Sequence, residues 1–191
     1  MTSTDRKKNE LRRKCRRTRA NLTAAKRNVA STKICETVIR AGYFRRSSRI
    51  GCYLPSDEEV DTWPIIERAL TMGKQVSVPV LRKKSVMQFR ALDADSSLST
   101  NQFGLLEPQD GEFVDPHRLD IVITPLVAFD SSGNRIGMGG GYFDRYFAFL
   151  KMRKFWLRPK LIGVAFDCQR VSVIVPNPWD IGLFRVVTET S

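Results

Sequence analysis

The chain has 191 residues, 42% hydrophobic and 27% charged, the make-up of one folded domain that buries about 70% of its unfolded surface. No apolar run approaches the roughly 20 residues that span a bilayer, and Met1-Thr-Ser-Thr-Asp-Arg-Lys-Lys8 lacks the apolar stretch of a secretory signal. The net charge of +12 is lopsided: residues 1–49 hold 16 of the 32 Lys/Arg and 3 of the 20 Asp/Glu, and the rest of the chain is close to neutral.

Residues 5–42 read as a basic helical segment. Leu11, Cys15, Thr18 and Leu22 recur at helical spacing as one narrow less-polar stripe, surrounded by Arg12, Arg13, Arg16, Arg17 and Arg19. Such a face suits counterion release from nucleic acid, a solvated helix surface, or a few charges reaching a polyphosphate. No aromatic residue precedes Tyr43, so the segment offers single strands no stacking platform, and nucleic acid is not the expected partner. Thr23 is placed to cap a second helix that runs to about Ala41, with Gly42 as its stop.

Residues 49–54 read as a short buried strand closed by Pro55. The acidic string Asp57-Glu-Glu-Val-Asp61 follows, suited to a metal, to a substrate's amine and ring nitrogens, or to plain solvation. Thr62 as cap and Pro64 in the first turn open a helix that Gly73 ends. Residues 75–81 alternate as a strand, with Pro79 expected at a strand end or bulge, and residues 87–92 form another. Residues 93–118 read as an irregular connection. Residues 119–124 are continuously apolar, as in the buried centre of a parallel sheet. Asp130-Ser-Ser-Gly-Asn134 signals a turn, residues 142–152 a helix, residues 161–166 a second central strand and residues 185–188 a last short one.

Cys15, Cys35, Cys52 and Cys168 are widely scattered and His117 is the single histidine. That pattern argues against structural zinc and against a His-assisted nucleophile, and for buried thiols in a reducing, cytoplasmic compartment. Helices alternating with short apolar strands predict an α/β fold with helices on both faces of a largely parallel sheet. Ligands then bind at the carboxyl ends of the strands, after Leu54, after Thr124 and after Phe166.

Five of the twelve glycines fall in Gly133-Asn-Arg-Ile-Gly-Met-Gly-Gly-Gly-Tyr-Phe-Asp-Arg145. Side-chain-free backbone closes readily on an anion, and a following helix adds dipole charge. Arg135 and Arg145 bracket the loop as phosphate clamps, and Asp144 could hold Mg²⁺ against a phosphate. The string is neither a Walker A loop, having no Gly-Lys-Ser/Thr, nor G-x-G-x-x-G, since Tyr142 stands where the last glycine belongs. A tight turn fitting a helix to the sheet would use the same glycines. Asp180, in Pro178-Trp-Asp-Ile-Gly182, suits a turn or a second carboxylate near a cation.

The string from Asn134 to Arg145 resembles the signature of the 5-formyltetrahydrofolate cyclo-ligase family. Glu59-Val-Asp-Thr62, Gly73-Lys-Gln-Val-Ser-Val-Pro79, Leu106-Glu-Pro108, the string from Asp120 to Asp130, Gly163-Val-Ala-Phe-Asp-Cys-Gln169 and Pro178-Trp-Asp180 follow in the family's order. The resemblance implies a three-layer α/β/α sandwich formed by residues 1–191. It implies conversion of 5-formyltetrahydrofolate to 5,10-methenyltetrahydrofolate with ATP and Mg²⁺, releasing ADP and phosphate. It also implies a monomeric enzyme whose partners are reduced folate and ATP, with no membrane. By motif, Lys8 and Arg12 resemble residues that reach ATP phosphates. The loop Arg135, Ile136, Gly137, Met138, Gly139, Gly140, Gly141, Tyr142 and Phe143 resembles the ATP-binding segment, with Arg135 and Arg145 in catalytic roles. Leu54, Glu59 and the stretch Met138 to Tyr142 resemble folate contacts, and Asp144 and Asp180 the Mg²⁺-associated carboxylates. Two positions depart from the family pattern: Met138 stands where many members carry Arg, and Phe143 where a second Tyr is usual.

Overall fold

The computed structural model describes residues 3–56, 58–82, 86–153 and 158–191, so Asp57 of the acidic string lies outside it. Helix α1 (Ser3–Ala20) docks its expected stripe only in part. Cys15 is buried with Val127, Ala128, Ile136 and Ile174, and Leu11 packs at their edge. Thr18 is exposed, and Leu22 lies beyond the helix and packs on the main core. Helix α2 (Ala24–Arg40) is capped by Thr23, whose hydroxyl accepts from Lys26 N at 3.3 Å. Its end differs from expectation. Ala41 stops it in an extended conformation, and Gly42 opens the short α3 (Gly42–Arg45). The Ala41 carbonyl already accepts from Phe44 N and Arg45 N at 3.1 Å, so no left-handed glycine is required.

Strand β1 (Arg49–Cys52) leads to α4 (Trp63–Thr71), and Pro64 sits in its first turn as predicted. Thr62 does not cap it: the Thr62 hydroxyl donates to Tyr53 O at 2.7 Å, and Asp61 Oδ1 accepts from Trp63 N at 3.0 Å instead. Gly73 does end the turn, at φ +68°.

Strand β2 (Gln75–Arg82) pairs antiparallel with β3 (Val86–Leu92). Pro79 lies inside β2 opposite Phe89, not at an end or bulge. The physical reason is the N–H pattern. Gln75 N donates to Ser48 O on the side away from β3, and Leu81 N donates to Glu107 Oε1. Pro79 lies between them on that same side, where pairing to β1 has stopped at Ser77, so its missing N–H leaves no gap in the ladder.

Residues 93–118 are more ordered than expected. They contain β4 (Leu98–Thr100), β5 (Leu106–Pro108) and β6 (Phe113–Val114), of which β4 and β5 pair antiparallel. Then come β7 (Ile121–Thr124), β8 (Ala128–Phe129), β9 (Arg135–Ile136), α5 (Tyr142–Tyr146), β10 (Lys160–Val164) and β11 (Arg185–Val187). The expected 142–152 helix is thus one short α-turn followed by a 3₁₀ stretch, Ala148–Met152.

The main sheet runs β11-β10-β7-β1-β2-β3-β6. Its first five strands are parallel, β3 runs antiparallel to β2, and β6 antiparallel to β3. Strand alternation divides the core between the two faces. Ile121 and Ile123 join Ile34, Val38, Ile65 and Ile66 beneath α2 and α4. Val122 turns the other way, toward Phe89, Phe147 and Leu161. Gly51 is required on that second face, where an added Cβ would stand 2.7 Å from the Phe89 ring.

Strands β8 and β9 form a hairpin closed by the predicted turn. Asp130, 3% exposed, accepts from Ser132 N, Asn134 N, Asn134 Nδ2 and Ile174 N at 2.9–3.0 Å. Burial works against its charge, but the hydrogen bonds from Asn134, Ile174 and Ser132 win and hold its pKa below the ordinary value. A depressed carboxyl pKa stabilises the fold above the unfolded-state pKa, and this contribution disappears as pH falls through the folded-state pKa. Asp130→Ala is expected to cost about 2–4 kcal/mol at neutral pH and to flatten the acid limb of the stability curve, as read by urea melts between pH 3 and 7.

Candidate active site

The hairpin delivers Arg135 to the carboxyl ends of the central strands. Its side chain is 4% exposed and pairs with Asp144 Oδ1 at 2.9 Å, and it also donates to the Ile181 carbonyl. Asp144 Oδ1 accepts from Ile181 N at 3.0 Å, which ties α5 to the 177–181 segment. Burial lowers the Arg135 pKa, opposed by the charges of Asp144 and Asp180, and the guanidinium stays protonated at neutral pH.

The glycine loop lies over this pair. Gly139 and Gly141 hold φ of +110° and +63°, a region that side-chain-bearing residues rarely adopt. Since α5 has only five residues, its dipole adds less than the sequence suggested. Most of the positive charge arrives from side chains. Arg12 donates from Nε to Gly137 O at 2.8 Å, and its guanidinium carbon lies 3.7 Å from where a Gly139 Cβ would stand. Burial lowers the Arg12 pKa, and neighbouring Arg16 adds to the shift. Arg145 donates to Gly140 O at 2.6 Å and lies over the Tyr142 ring. Lys8 pairs with Asp180 Oδ2 at 2.5 Å, and the same oxygen accepts from Asn177 N.

Two cavities meet at the loop. The larger, about 870 Å³, is lined by Lys8, Arg12, Gly139, Arg145, Lys151 and Asp180 among others, and by Ile136. The smaller, about 390 Å³, is mostly apolar, with Leu54, Leu81, Met87, Leu126 and Phe143 in its walls and Glu59 as an acidic group. Arg135, Gly137, Met138, Gly141 and Asp144 line both. Gly140, Tyr142 and Phe143 line only the apolar cavity. Every site residue carried over from the family resemblance therefore borders one cavity or both, whereas Glu58 and Asp61 of the acidic string line neither.

Among the described residues no group of three or more His, Cys, Asp or Glu is arranged to hold a metal. Asp144 and Asp180 both line the cationic cavity. Each takes its described hydrogen bonds through one carboxylate oxygen. Two carboxylates lining one cationic cavity match the one or two carboxylates that Mg²⁺ usually takes from a protein.

Some contributors escaped the sequence reading. Arg19, grouped there with the surface arginines, is 3% exposed and pairs with Glu58 at 3.4 Å. Its neighbour Glu59 accepts from Ser56 N and Oγ at 3.1 and 3.0 Å. The available signal was spacing, since Lys8, Arg12, Cys15 and Arg19 share one helix face. Asn177, Lys151 and Trp179 also line the cationic cavity. His117 stacks on Phe149 at 3.9 Å and lines neither cavity. The four cysteines are free, and burial pushes the Cys35 thiol up to about 12, a structural role for a thiol.

Lys8→Ala and Arg12→Ala are each expected to weaken binding of inorganic tripolyphosphate five-fold or more by calorimetry. Arg13→Ala, on the exposed side of α1, is expected to change it less than two-fold at 0.15 M salt.

The model of the 5-formyltetrahydrofolate cyclo-ligase family matches residues 4–189. A 5-formyltetrahydrofolate cyclo-ligase of Haemophilus influenzae is 34% identical over 185 residues, covering 95% of this chain and 97% of the relative. That of Escherichia coli K12 is 41% identical over 143 residues, covering 73% and 76%. The solved structure of Aquifex aeolicus 5,10-methenyltetrahydrofolate synthetase superposes with a TM-score of 0.81 at 31% identity, covering 96% of this chain and 90% of that one. With its glycine loop, its buried Arg135 and its paired cavities in place, the chain belongs to the 5-formyltetrahydrofolate cyclo-ligase family.

Proposed function

We propose that the protein converts 5-formyltetrahydrofolate and ATP to 5,10-methenyltetrahydrofolate, ADP and phosphate, acting as a cytoplasmic monomer. The observation that carries this reading is the junction of a cationic cavity with an apolar one around Arg135 and the glycine loop. A triphosphate in the first and a folate ring system in the second would bring their reacting ends to the shared wall.

The chemistry needs positioning more than acid–base groups. The N5-formyl oxygen attacks the γ-phosphorus, the bond to the β-bridging oxygen breaks, and ADP leaves. The formyl oxygen now bridges its carbon to the phosphoryl group, and N5 carries the iminium charge. N10 attacks that carbon and loses its proton, the C–O bond breaks, and phosphate departs with the former formyl oxygen. Arg135, its side chain 4% exposed, would meet the charge that develops on the transferred phosphoryl group. Lys8, Arg12 and Arg145 hold the remaining phosphate oxygens. Leu54, Met138 and Tyr142 enclose the folate, and Glu59 accepts hydrogen bonds from its pterin nitrogens. Asp144 and Asp180 would hold Mg²⁺, which would supply positive charge to offset that of the triphosphate. No helix of the described residues is long and apolar enough to cross a membrane, which is compatible with two soluble substrates.

The wild-type chain is expected to raise methenyltetrahydrofolate absorbance only when 5-formyltetrahydrofolate, ATP and Mg²⁺ are all present. Absorbance gained without ATP would overturn the scheme. Arg135→Ala and Asp144→Ala are each expected to lower kcat ten-fold or more. Arg135→Lys, which keeps the charge and loses the planar fork, should fall between them and wild type. Unchanged steady-state rates in the alanine variants would remove Arg135 and Asp144 from the site.

A further inference from the structure

We propose that Trp179 is the platform on which the nucleotide base stacks, so that this side chain makes the cationic cavity prefer a nucleotide to a bare phosphate chain. The proposal rests on the ATP reading of that cavity. At about 870 Å³ the cavity lies near the top of the roughly 300–1,000 Å³ range of small-molecule sites, more room than a phosphate chain needs. Two of its cations, Arg12 and Arg145, bond to Gly137 and Gly140 of the glycine loop, while Lys8 and Lys151 are held at Asp180 and Pro178 on either side of Trp179. Among the residues lining it, Trp179 is the one aromatic side chain.

The indole is 64% exposed, unusual for a side chain that normally buries most of its ring. Other rings nearby are covered: Arg145 lies over Tyr142, and His117 and Arg153 flank Phe149. Among the described residues, no ring or cation stacks on Trp179. Its backbone is nonetheless held on both sides. Pro178 O accepts from Lys151 Nζ, while Asp180 pairs with Lys8 and donates its N–H to Asn177 O at 3.1 Å. A bare ring on a clamped loop beside a phosphate-binding wall is preorganised for a flat partner attached to phosphates. A nucleobase has that shape, and every base offers a π-face, so stacking here would discriminate weakly among bases.

The test compares ADP with inorganic tripolyphosphate on the full chain by calorimetry. Trp179→Ala is expected to weaken ADP five-fold or more while tripolyphosphate changes less than two-fold, and Trp179→Phe to restore most of the ADP affinity. Equal weakening of both ligands would assign Trp179 to holding the loop, and no weakening of ADP would place the base elsewhere; either result overturns the proposal. A wild-type chain that binds tripolyphosphate but shows no saturable ADP binding would instead overturn the nucleotide reading of the cavity, and this proposal with it.

Discussion

A guanidinium almost sealed from water lies between the two cavities, and much of the surrounding structure follows from keeping it paired. Burying one charge costs several kcal/mol unless a partner and good hydrogen bonds compensate. Arg135 meets that demand with Asp144 from α5 and the Ile181 carbonyl, and Asp180 adds a second negative charge nearby. Those partners, Asp144 and Ile181, are 37 residues apart in the chain. The glycine loop between β9 and α5 is consequently fixed at both ends by one ion pair. The hairpin that presents Arg135 depends on a second buried carboxylate, since Asp130 gathers Ser132, Asn134 and Ile174 around itself.

Helix α1 gives the lopsided charge of the chain a divided meaning. Lys8, Arg12, Cys15 and Arg19 lie on one face, while Arg13, Arg16 and Arg17 face solvent. At 1.5 Å per residue, Lys8 and Arg19 stand about 16 Å apart along the helix axis. One end of that face borders the cationic cavity. The other holds Glu58, beside the Glu59 that borders the apolar cavity. The helix is a strut between two binding regions, anchored midway by Cys15 in its apolar cluster. The solvent-facing arginines have no described contact with either cavity, and for them the surface reading stands.

The parts of the fold written in local pattern were legible. The apolar runs of β7 and β10, the Thr23 cap and the Asp130 turn each depend on neighbours a few residues away. The glycine string pointed to the place where the two cavities meet, because side-chain-free backbone allows close approach. What escaped depends on distant partners. Thr62 has the residue type of a cap, but Tyr53 O takes its hydroxyl first. Pro79 is tolerated inside β2 only because the neighbouring strand ends before it, which no local pattern reveals. Arg19 looks like its exposed neighbours until Glu58 is folded against it. The strands within 93–118 are too short for periodicity to declare, and Glu107, which bonds both Leu81 N and Asn101 Nδ2, secures them from its side chain.

Met138 shows how the departures from the family pattern can be accommodated. A neutral side chain there, 57% exposed on the wall shared by both cavities, removes a cation from the tip of the loop. Arg12 lies against the adjacent glycine from α1 and bonds to Gly137 O, so a guanidinium stands beside the tip without belonging to it. In the proposed reaction the loop supplies backbone and an apolar edge to the folate side, while the phosphate-side charge comes from Arg135 and Arg145 at its two ends and from Lys8 and Arg12 on α1. Phe143 follows the same logic: it lines only the apolar cavity, where a ring contributes by contact and a missing hydroxyl leaves no phosphate oxygen unpaired.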